Sequence, residues 1–295
     1  MITVFTPTYN RAKTLPRLYE SLLSQTDKRF EWLIIDDGST DTTEELVRNY
    51  MKDCAFEIRY IKRENWGLSQ TINQGVELAR GDIFFRIDSD DFATPDAIET
   101  IYSNWHLVEG DESLCGLVFL KQSFSGDGDV ASCPLTEITR SNFFDYRNLY
   151  TCYVDMAEVI KTDVMRKYKL EKFNEEKFCP EGVIWNRMSL KYDAIYIPSP
   201  IYMYKYIEDG FTMNVRRILR KNPMGASTFF AELFQHSNMR VLFYVKNAIS
   251  YWRYALINGR SWKEKLCAVP MLVTILGIFA GSLLCLYDSV KVKDI

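Results

Sequence analysis

The chain has 295 residues, of which 47% are hydrophobic and 14% aromatic, so it can build a large core and is not intrinsically disordered. The formal net charge is −3, but the charges are unevenly distributed. Residues 1–213 are acidic, with 24 basic and 35 acidic side chains, and residues 214–265 are basic, with 10 basic and 2 acidic side chains. Such a split predicts an acidic body followed by a basic segment that faces an anionic surface.

The histidine and cysteine contents exclude several kinds of site. Two histidines argue against a histidine-based triad or metal centre. The cysteines number seven and form no C-x-x-C pair. An odd set of this kind favours reduced thiols in a cytosolic setting over a disulfide or zinc framework.

Predicted strands and helices alternate over the first 110 residues. The strands are runs of β-branched and aromatic residues, and the helices carry apolar residues at helical spacing. This alternation predicts an α/β fold with a doubly wound, mostly parallel central sheet and helices on both faces. The absence of a G-x-G-x-x-G motif and of a Walker A loop argues against a dinucleotide site and a P-loop nucleotidase. The predicted strands are 1–5, 30–35, 56–61 and 83–87, and the predicted helices are 13–25 and 68–80.

The pattern changes after about residue 112. Shorter strands, many turn residues and then a long helical region replace the regular alternation. The helical region resembles a basic amphipathic helix of the kind that lies on a membrane or packs on a neighbouring domain. The predicted strands are 114–120, 154–160, 194–197 and 201–206, and the predicted helices are 181–190 and 227–258.

A stretch without charged side chains, residues 266–287, follows the basic segment. As a helix it would be about 33 Å long, enough to cross a hydrocarbon core of ~30 Å. Basic residues just before it would stay on the cytoplasmic side, and Gly277 and Gly281 form a G-x-x-x-G packing motif. Three interpretations stay open: a helix that spans the membrane, one that lies in its interface, and a hydrophobic element packed on a partner. Because the chain opens on a predicted strand, we expect no signal peptide.

An acidic motif, Asp88-Ser89-Asp90-Asp91, follows strand 83–87. Three carboxylates within four residues repel one another unless a counter-charge is present. Mg²⁺ or Mn²⁺, held by one or two carboxylates and completed by substrate phosphates, supplies such a charge. Ligands also bind beyond the carboxyl ends of strands in open α/β sheets. The motif therefore predicts a metal site facing a phosphorylated ligand, or alternatively an Asp-rich turn before the helix that Thr94-Pro95-Asp96 would start.

A second acidic motif, Asp36-Asp37-Gly38, follows strand 30–35. Gly38 permits a tight turn, and the polar residues after it can cap the next helix. A turn with a cap accounts for one of the two aspartates but not for both.

These motifs occur in an order that closely resembles the family 2 glycosyltransferases, and the resemblance is strong over about the first 110 residues. It implies the A-type nucleotide-diphospho-sugar transferase fold and transfer with inversion. A looser resemblance continues through Pro180-Glu181 and residues 204–210. The matching motifs are Pro7-Thr8-Tyr9-Asn10, Asp36 to Asp41, Asn65-x-Gly67, Asn73-x-Gly75, Ala79 to Asp82 and Asp88 to Asp91.

The resemblance implies a role for each matched donor-site residue. Asp37 would hydrogen-bond the nucleobase. Asp90, aided by Asp88, would hold a Mn²⁺ or Mg²⁺ ion that bridges the two donor phosphates and assists the leaving group. The remaining residues would line the base and ribose (Pro7, Thr8, Tyr9) or approach the donor (Asn65, Gly67).

The resemblance also points to Glu181 as the general base that takes the proton of the acceptor hydroxyl. In the family this base is usually the second acid of a Glu-Asp pair, six residues before an arginine. Here Glu181 lies six residues before Arg187 but follows Pro180, so the chain departs from that pattern. A first-turn helix acid favoured by the helix dipole is the alternative role for Glu181. Glu208 and Asp209 are the alternative bases.

We therefore expect an inverting, metal-dependent glycosyltransferase that acts in cell-surface polysaccharide synthesis. It would move a sugar from a nucleotide-diphosphate donor, UDP by analogy, to a glycan or lipid-linked saccharide at the cytoplasmic face of the cell membrane. No nucleic acid partner is expected, and homo-oligomer formation stays open. The expected domains are 1–213 (donor half 1–110, acceptor half 111–213), the basic helical region 214–265 and the hydrophobic helix 266–287 as membrane anchor.

Other functions fit the sequence less well or stay open. Asp88-x-Asp90 mimics the D-x-D of haloacid-dehalogenase phosphatases, but Phe92 stands where those enzymes have Thr or Val. Sugar-1-phosphate nucleotidyl transfer would need a Gly-rich basic loop that residues 6–13 lack. A catalytically inactive, membrane-tethered nucleotide-sugar or polysaccharide-binding module stays open, and donor turnover would distinguish it.

Overall fold

The computed structural model describes residues 1–124, 135–150, 155–204 and 211–291. Within them, nine strands form one mixed sheet and helices pack on both of its faces. The strands are β1 (Ile2–Thr8), β2 (Phe30–Asp36), β3 (Glu57–Lys62), β4 (Ile83–Arg86), β5 (Phe92–Ala93), β6 (Leu114–Ser123), β7 (Thr139–Ser141), β8 (Met156–Lys161) and β9 (Asp193–Tyr204). The helices are α1 (Leu15–Leu23), α2 (Thr43–Tyr50), α3 (Leu68–Leu78), α4 (Ala97–Trp105), α5 (Phe143–Tyr150), α6 (Thr162–Met165), α7 (Gly182–Met188), α8 (Phe211–Lys221), α9 (Pro223–Glu232), α10 (Val241–Ala255), α11 (Trp262–Cys267) and α12 (Met271–Lys291).

The sheet has the strand order β3-β2-β1-β4-β8-β6-β9-β5, and β7 pairs with β9 as well. Strands β3, β2, β1 and β4 pair with one another in parallel. Strand β8 is antiparallel to β4 and β6, whereas β6 and β9 run parallel. The predicted α/β fold is thus confirmed: the strands β3, β2, β1 and β4 form a parallel block, and the antiparallel pairs of the later strands make the sheet mixed.

Two apolar layers hold the helices to the sheet. Along β2, Trp32 and Ile34 point into one layer and Leu33 and Ile35 into the other. Such alternation puts apolar side chains on both faces, as a sheet covered by helices requires. The first layer contains Leu15, Leu18 and Leu22 of α1 and Ile98 and Ile101 of α4, and the second contains Ile72 and Val76 of α3 and Val183 and Ile184 of α7.

The parallel pairing brings three strand ends to one edge of the sheet. Strand β1 lies between β2 and β4, with Thr8 opposite Asp36 and Phe5 opposite Arg86. Two hydrogen bonds extend the pairing beyond the strands, from Asp37 N to Thr8 O at 2.8 Å and from Ile87 N to Phe5 O at 2.9 Å. The motifs that follow β1, β2 and β4 therefore open onto the same crevice.

Two short strands predicted at 194–197 and 201–206 form a single strand, β9, over Asp193–Tyr204, and residues 205 and 206 lie outside the described residues. The strand continues past Pro198 and Pro200 because its register against β6 shifts on both sides of Leu120, where Pro200 pairs. Proline lacks a backbone donor, and a bulge is one of the few places in a sheet that tolerates it. The two prolines therefore do not separate two strands.

The prediction of one helical region over residues 227–258 is wrong. Helix α9 ends at Glu232, a short 3-10 turn covers Leu233–Gln235, and α10 begins only at Val241. His236 is extended between them. The polar residues Ser237 and Asn238 favour a turn, and here they override the apolar periodicity on either side.

The hydrophobic helix is α12, Met271–Lys291, and it starts after Pro270 rather than at residue 266. Helix α11 is separate and carries a capping box between Ser261 and Glu264. Within the described residues, one segment, Met271–Val290, is long and apolar enough to cross a membrane by length and composition. One third of it is buried against the rest of the protein.

Candidate active site

Asp37 lies at the carboxyl end of β2, and its carboxylate is saturated by donors of the protein. It accepts hydrogen bonds from Trp66 N and Gly67 N, both at 2.9 Å, and pairs with Arg63 at 3.0 Å. The Arg63 and Asp37 side chains are nearly inaccessible. Backbone donors and a buried cation make this a structural anchor that fixes the loop 63–67 beside the crevice. Its predicted contact with a nucleobase stays a prediction.

Gly67 adopts φ +91°, which side chains rarely adopt, and it packs on the segment before α7. A Cβ at Gly67 would lie 2.0 Å from the carbonyl oxygen of Lys177. Asn65 accepts a hydrogen bond from Lys177 Nζ at 2.8 Å. This glycine is required for close approach to Lys177, whereas the predicted approach of Asn65 and Gly67 to the donor stays untested.

The segment after β1 lines the crevice with both buried and exposed groups. Pro7 and Thr8 are buried, and the Thr8 hydroxyl has no hydrogen-bond partner among the described residues. Tyr9 is 47% exposed. Asn10 ties this segment to the loop after β2, because its Oδ1 accepts from Thr40 N at 2.8 Å. A buried hydroxyl without a partner at a crevice is suited to bind a polar ligand or water.

Asp88 follows β4 and is held by a cation and a phenol. Arg86 approaches both carboxylate oxygens, at 3.2 and 3.3 Å, and Asp88 N donates to the Tyr202 hydroxyl at 3.1 Å. Burial opposes ionisation of Asp88, but the charges of Arg86 and Lys121 outweigh it and lower the pKa of Asp88. The Tyr202 hydroxyl donates to Asp91 at 2.8 Å. Burial, followed by the charge of Asp88, raises the pKa of Asp91 to about 7.

Asp90 is held more loosely than Asp37 or Asp88. Its carboxylate faces Arg11 at 3.6 Å, with both side chains partly exposed, and its backbone carbonyl accepts a hydrogen bond from Arg17. An ion pair of this length near the surface contributes little to stability. The Asp90 carboxylate is thus available to a stronger cationic partner.

The two aspartates fit a hard divalent cation that is completed by a ligand. No group of three or more His, Cys, Asp or Glu side chains that could hold a metal ion occurs within residues 1–124, 135–150, 155–204 and 211–291. Magnesium and similar ions are commonly bound by one or two carboxylates plus substrate phosphates rather than by an all-protein cage. Asp88 and Asp90 provide carboxylates of this kind.

Glu181, at the start of α7, reaches the same acidic site through Arg86. The Arg86 guanidinium pairs with Glu181 on one side and with Asp88 on the other. These two carboxylates raise the pKa of Arg86 further despite its burial, so the bridge stays charged. The arginine brings Glu181 to the end of β4, whereas Glu208 and Asp209 lie outside the described residues.

Arg187 has a role away from this crevice. It pairs with Glu232 of α9 and with Glu171. It thereby ties α7 to α9 and to the loop before α7.

Sequence reasoning missed four groups in the crevice, namely Arg86, Lys121, Glu158 and Tyr202. Lys121 lies over the Tyr202 ring at 4.1 Å, and Arg86, Lys121 and Glu158 line one cleft together with the predicted Glu181. Burial raises the pKa of Glu158 to about 7; the charge of Lys121 opposes part of this rise, and the charge of Glu181 adds a smaller increase. The available signals were a single charged residue inside each of the apolar runs 83–87 and 156–160. Their convergence depends on the antiparallel pairing of β8, which the sequence does not reveal.

Comparison with known sequences shows the family of the chain. The family described as "Glycosyl transferase family 2" matches residues 3–160. Glycosyltransferase GlyG of Streptococcus pneumoniae is 36% identical over 215 residues, which are 70% of this chain and 70% of that protein. Chondroitin synthase of Escherichia coli is 37% identical over 132 residues, 45% of this chain but only 19% of the synthase. This chain therefore corresponds to a small part of that larger relative.

Solved structures share the fold at low sequence identity. S. aureus TarS 1-349 in complex with UDP is similar with a TM-score of 0.61 at 16% identity, and the match covers 96% of this chain and 88% of that chain. Mannosyltransferase PcManGT from Pyrobaculum calidifontis, in complex with GDP-Man and Mn²⁺, has a TM-score of 0.59 at 14% identity. The match covers 97% of this chain and 87% of that chain.

The matched region, residues 3–160, contains the strand ends with Asp37, Asp88 and Asp90 and therefore most of the crevice described above. Together with GlyG it is sufficient to assign the family. The chain belongs to the family 2 glycosyltransferases.

Proposed function

We propose that this glycosyltransferase moves one sugar from a nucleoside diphosphate donor to a saccharide hydroxyl with inversion, and that the reaction requires Mn²⁺ or Mg²⁺. The observation that carries the proposal is the Arg86 bridge. It joins Glu181, the residue before α7, to Asp88 at the end of β4, within the same crevice as Asp37 and Asp90.

The donor would enter along the carboxyl ends of β1, β2 and β4. The loop anchored by Asp37 and the Pro7-Thr8-Tyr9 segment would form the base and ribose side, with Asn65 and Gly67 nearby. Asp88 and Asp90 would hold the divalent ion, which supplies Lewis-acid neutralisation of the charge on the departing diphosphate. Arg11 and Arg17 already surround Asp90 and add positive charge on the phosphate side.

Transfer is a single displacement at the anomeric carbon. The acceptor oxygen forms a bond to that carbon while the bond to the diphosphate oxygen breaks, and the electron pair leaves with the nucleoside diphosphate. Glu181 accepts the hydroxyl proton, which requires an ionised carboxylate near the attacking oxygen. Arg86 orients this carboxylate.

UDP is proposed as the donor nucleotide because one structural neighbour is described in complex with UDP, and Mn²⁺ because another is described in complex with it. A relative that is named chondroitin synthase supports a polysaccharide product. The exposed apolar face of α12 supports a lipid-linked acceptor at the cytoplasmic side of the cell membrane, with α12 as the anchor.

The test is release of nucleoside diphosphate from a panel of UDP-, GDP- and dTDP-sugars, with saccharide and lipid-linked acceptors and with or without Mn²⁺. We expect turnover with one donor class, dependent on metal and acceptor, and a product of inverted anomeric configuration by NMR. Metal-dependent donor binding without turnover on any acceptor would instead support a catalytically inactive binding module.

A further inference from the structure

Helix α12 buries one stripe against the protein over nearly its whole length. The stripe recurs every three or four residues, as a helix face requires. Its members are the buried Thr274, Gly277, Gly281 and Asp288 and the half-buried Cys285. The glycines provide the closest approach: a Cβ at Gly277 would lie 2.5 Å from the Trp252 ring, and one at Gly281 would lie 2.9 Å from Arg253 N. The G-x-x-x-G motif thus packs α12 on α10 of the same chain.

Polar contacts lock the second half of α12 in place. Arg253 of α10 and Asp288 form an ion pair with an Nε–Oδ2 distance of 2.6 Å, and both side chains are mostly buried. Arg220 of α8 donates to the Cys285 carbonyl at 3.1 Å and to the Ser289 hydroxyl at 2.6 Å. Removing α12 from these partners would leave a buried charge unpaired, so this packing belongs to the folded protein.

The opposite face of α12 is apolar and has no partner within the described residues. Its members are 56–91% exposed and are Leu272, Ile275, Phe279, Leu283, Leu286 and Val290. They extend along about 27 Å of helix at ~1.5 Å per residue. An exposed apolar surface of this length on a folded protein marks an interaction site.

An orientation in which α12 spans the membrane conflicts with the packing of its buried stripe against the protein. If α12 crossed a bilayer while packed as described, α10 and α8 would enter the hydrocarbon together with Arg220, Lys246 and Arg253. Charged side chains at that depth are strongly disfavoured. If α12 instead left the protein, the Arg253–Asp288 pair would be broken.

We propose that α12 lies in the plane of the membrane interface and that its outward face contacts the acyl chains of an anionic membrane. The charge of the surrounding region is complementary to such a surface. Residues 214–265 carry ten basic and two acidic side chains, and Arg216, Arg217, Lys221, Arg240, Lys246 and Lys263 are exposed. The exposed Trp262 of α11 is of the type enriched at the level of lipid headgroups. An apolar face beside cations is the pattern of interfacial helices, and the protein would bind one leaflet without crossing.

The first experiment measures depth. An environment-sensitive fluorescent amino acid replaces Leu272, Phe279 or Leu286, one at a time, in the full chain bound to phosphatidylcholine–phosphatidylglycerol vesicles. The lipids carry a nitroxide quencher either near the headgroup or deep in the acyl chain. We expect all three sites to be quenched more strongly by the shallow nitroxide. The same probe at Leu190, which is exposed on the catalytic body, should not be quenched.

Two outcomes would overturn in-plane docking. Stronger deep quenching at Phe279 with shallow quenching at Leu272 and Leu286 would mean that α12 spans the bilayer. Absence of quenching at all three sites would mean that another surface, such as a second copy of the chain, covers the face.

A binding assay tests the same face independently. Because two apolar contacts are lost, the double substitution Ile275→Glu and Phe279→Glu should lower vesicle partitioning about tenfold or more. Leu190→Glu is the matched control and should leave partitioning unchanged. Omitting phosphatidylglycerol should weaken binding of the wild-type chain several-fold. Unchanged partitioning of the double variant, with thermal unfolding like that of the wild type, would overturn the proposal.

Discussion

Asp37 and Asp90 both follow parallel strands at one edge of the sheet, yet their carboxylates differ in burial and in hydrogen-bond partners. Asp37 is buried, accepts two backbone hydrogen bonds and pairs with the equally buried Arg63. Asp90 is partly exposed and faces Arg11 at 3.6 Å. A carboxylate surrounded by buried donors maintains the shape of a site, whereas one with an exposed and distant partner can exchange that partner for a ligand. Asp37 should therefore affect folding, and Asp90 should affect chemistry.

The largest expected effect is on turnover in Asp90→Asn. If Asp90 holds the divalent ion, the substitution removes several kcal/mol of transition-state stabilisation, and kcat/KM should fall at least ~10³-fold. The unfolding free energy should change by less than about 1 kcal/mol, because the Arg11 contact is long and exposed. Steady-state kinetics and denaturant titration measure the two quantities. Asp163→Asn is the control and should retain activity. Asp163 forms an exposed ion pair with Lys167, and it lies beyond the opposite end of β4. Near-normal turnover of Asp90→Asn would remove Asp90 from the metal site.

Glu181→Gln should lower kcat about 100-fold or more, the size of effect expected when a general base is lost. Donor binding in the presence of metal should persist, because the amide keeps the size of the side chain. Glu175→Gln, at an exposed position in the preceding loop, should behave like the wild type. If Glu181→Gln loses donor binding and stability together, then Glu181 only holds Arg86 in place.

Asp37→Asn should reduce the unfolding free energy by about 3 kcal/mol, because the buried Arg63 loses its counter-charge. Two-state denaturant unfolding measures the loss, provided that the unfolding free energy of the variant and of the wild type depends on denaturant concentration with the same slope. Asp41→Asn, in the more exposed loop after β2, should cost about 1 kcal/mol or less. Unchanged stability of Asp37→Asn would show that this carboxylate is as exchangeable as that of Asp90 and would remove the contrast between them.

The smallest expected effect concerns the pH dependence of stability at Glu158. Its pKa is raised to about 7 in the folded protein, mainly by burial. The unfolded chain therefore releases this proton at lower pH, and the native state loses stability as pH rises from about 4.5 to 7. Glu158→Gln should remove this loss. The change in unfolding free energy that the substitution causes should therefore be about 1–2 kcal/mol more favourable above pH 7 than at pH 4.5. Glu112→Gln, at an exposed site, is the control. A gain that does not depend on pH would contradict the raised pKa.

The fold of residues 1–110 could be predicted from sequence because its signals are local. Each strand there is an apolar run, each motif directly follows its strand, and parallel pairing brings those ends together. The sequence therefore placed Asp37, Asp88 and Asp90 at one edge without knowledge of distant contacts.

The arrangement of residues 111–213 could not be predicted in the same way, because its groups meet through long-range pairing. Glu158 and Lys121 reach the crevice only because β8 inserts antiparallel between β4 and β6. The break between α9 and α10 and the continuity of β9 through its prolines also depend on tertiary packing. The role of Asp37 as a buried anchor required the position of Arg63, which no local pattern supplies.

The central claim is that Asp90 holds a divalent ion which joins the protein to the donor diphosphate. The most direct measurement is thermal unfolding of the wild type, Asp90→Asn and Asp163→Asn with UDP, GDP, dTDP or CMP, each with and without Mn²⁺. We predict that one nucleotide raises the melting temperature of the wild type and of Asp163→Asn only when Mn²⁺ is present, and that it does not raise the melting temperature of Asp90→Asn. The claim would be contradicted by an equal increase in the melting temperature of Asp90→Asn. It would also be contradicted if no nucleotide raised the melting temperature of a folded wild-type protein.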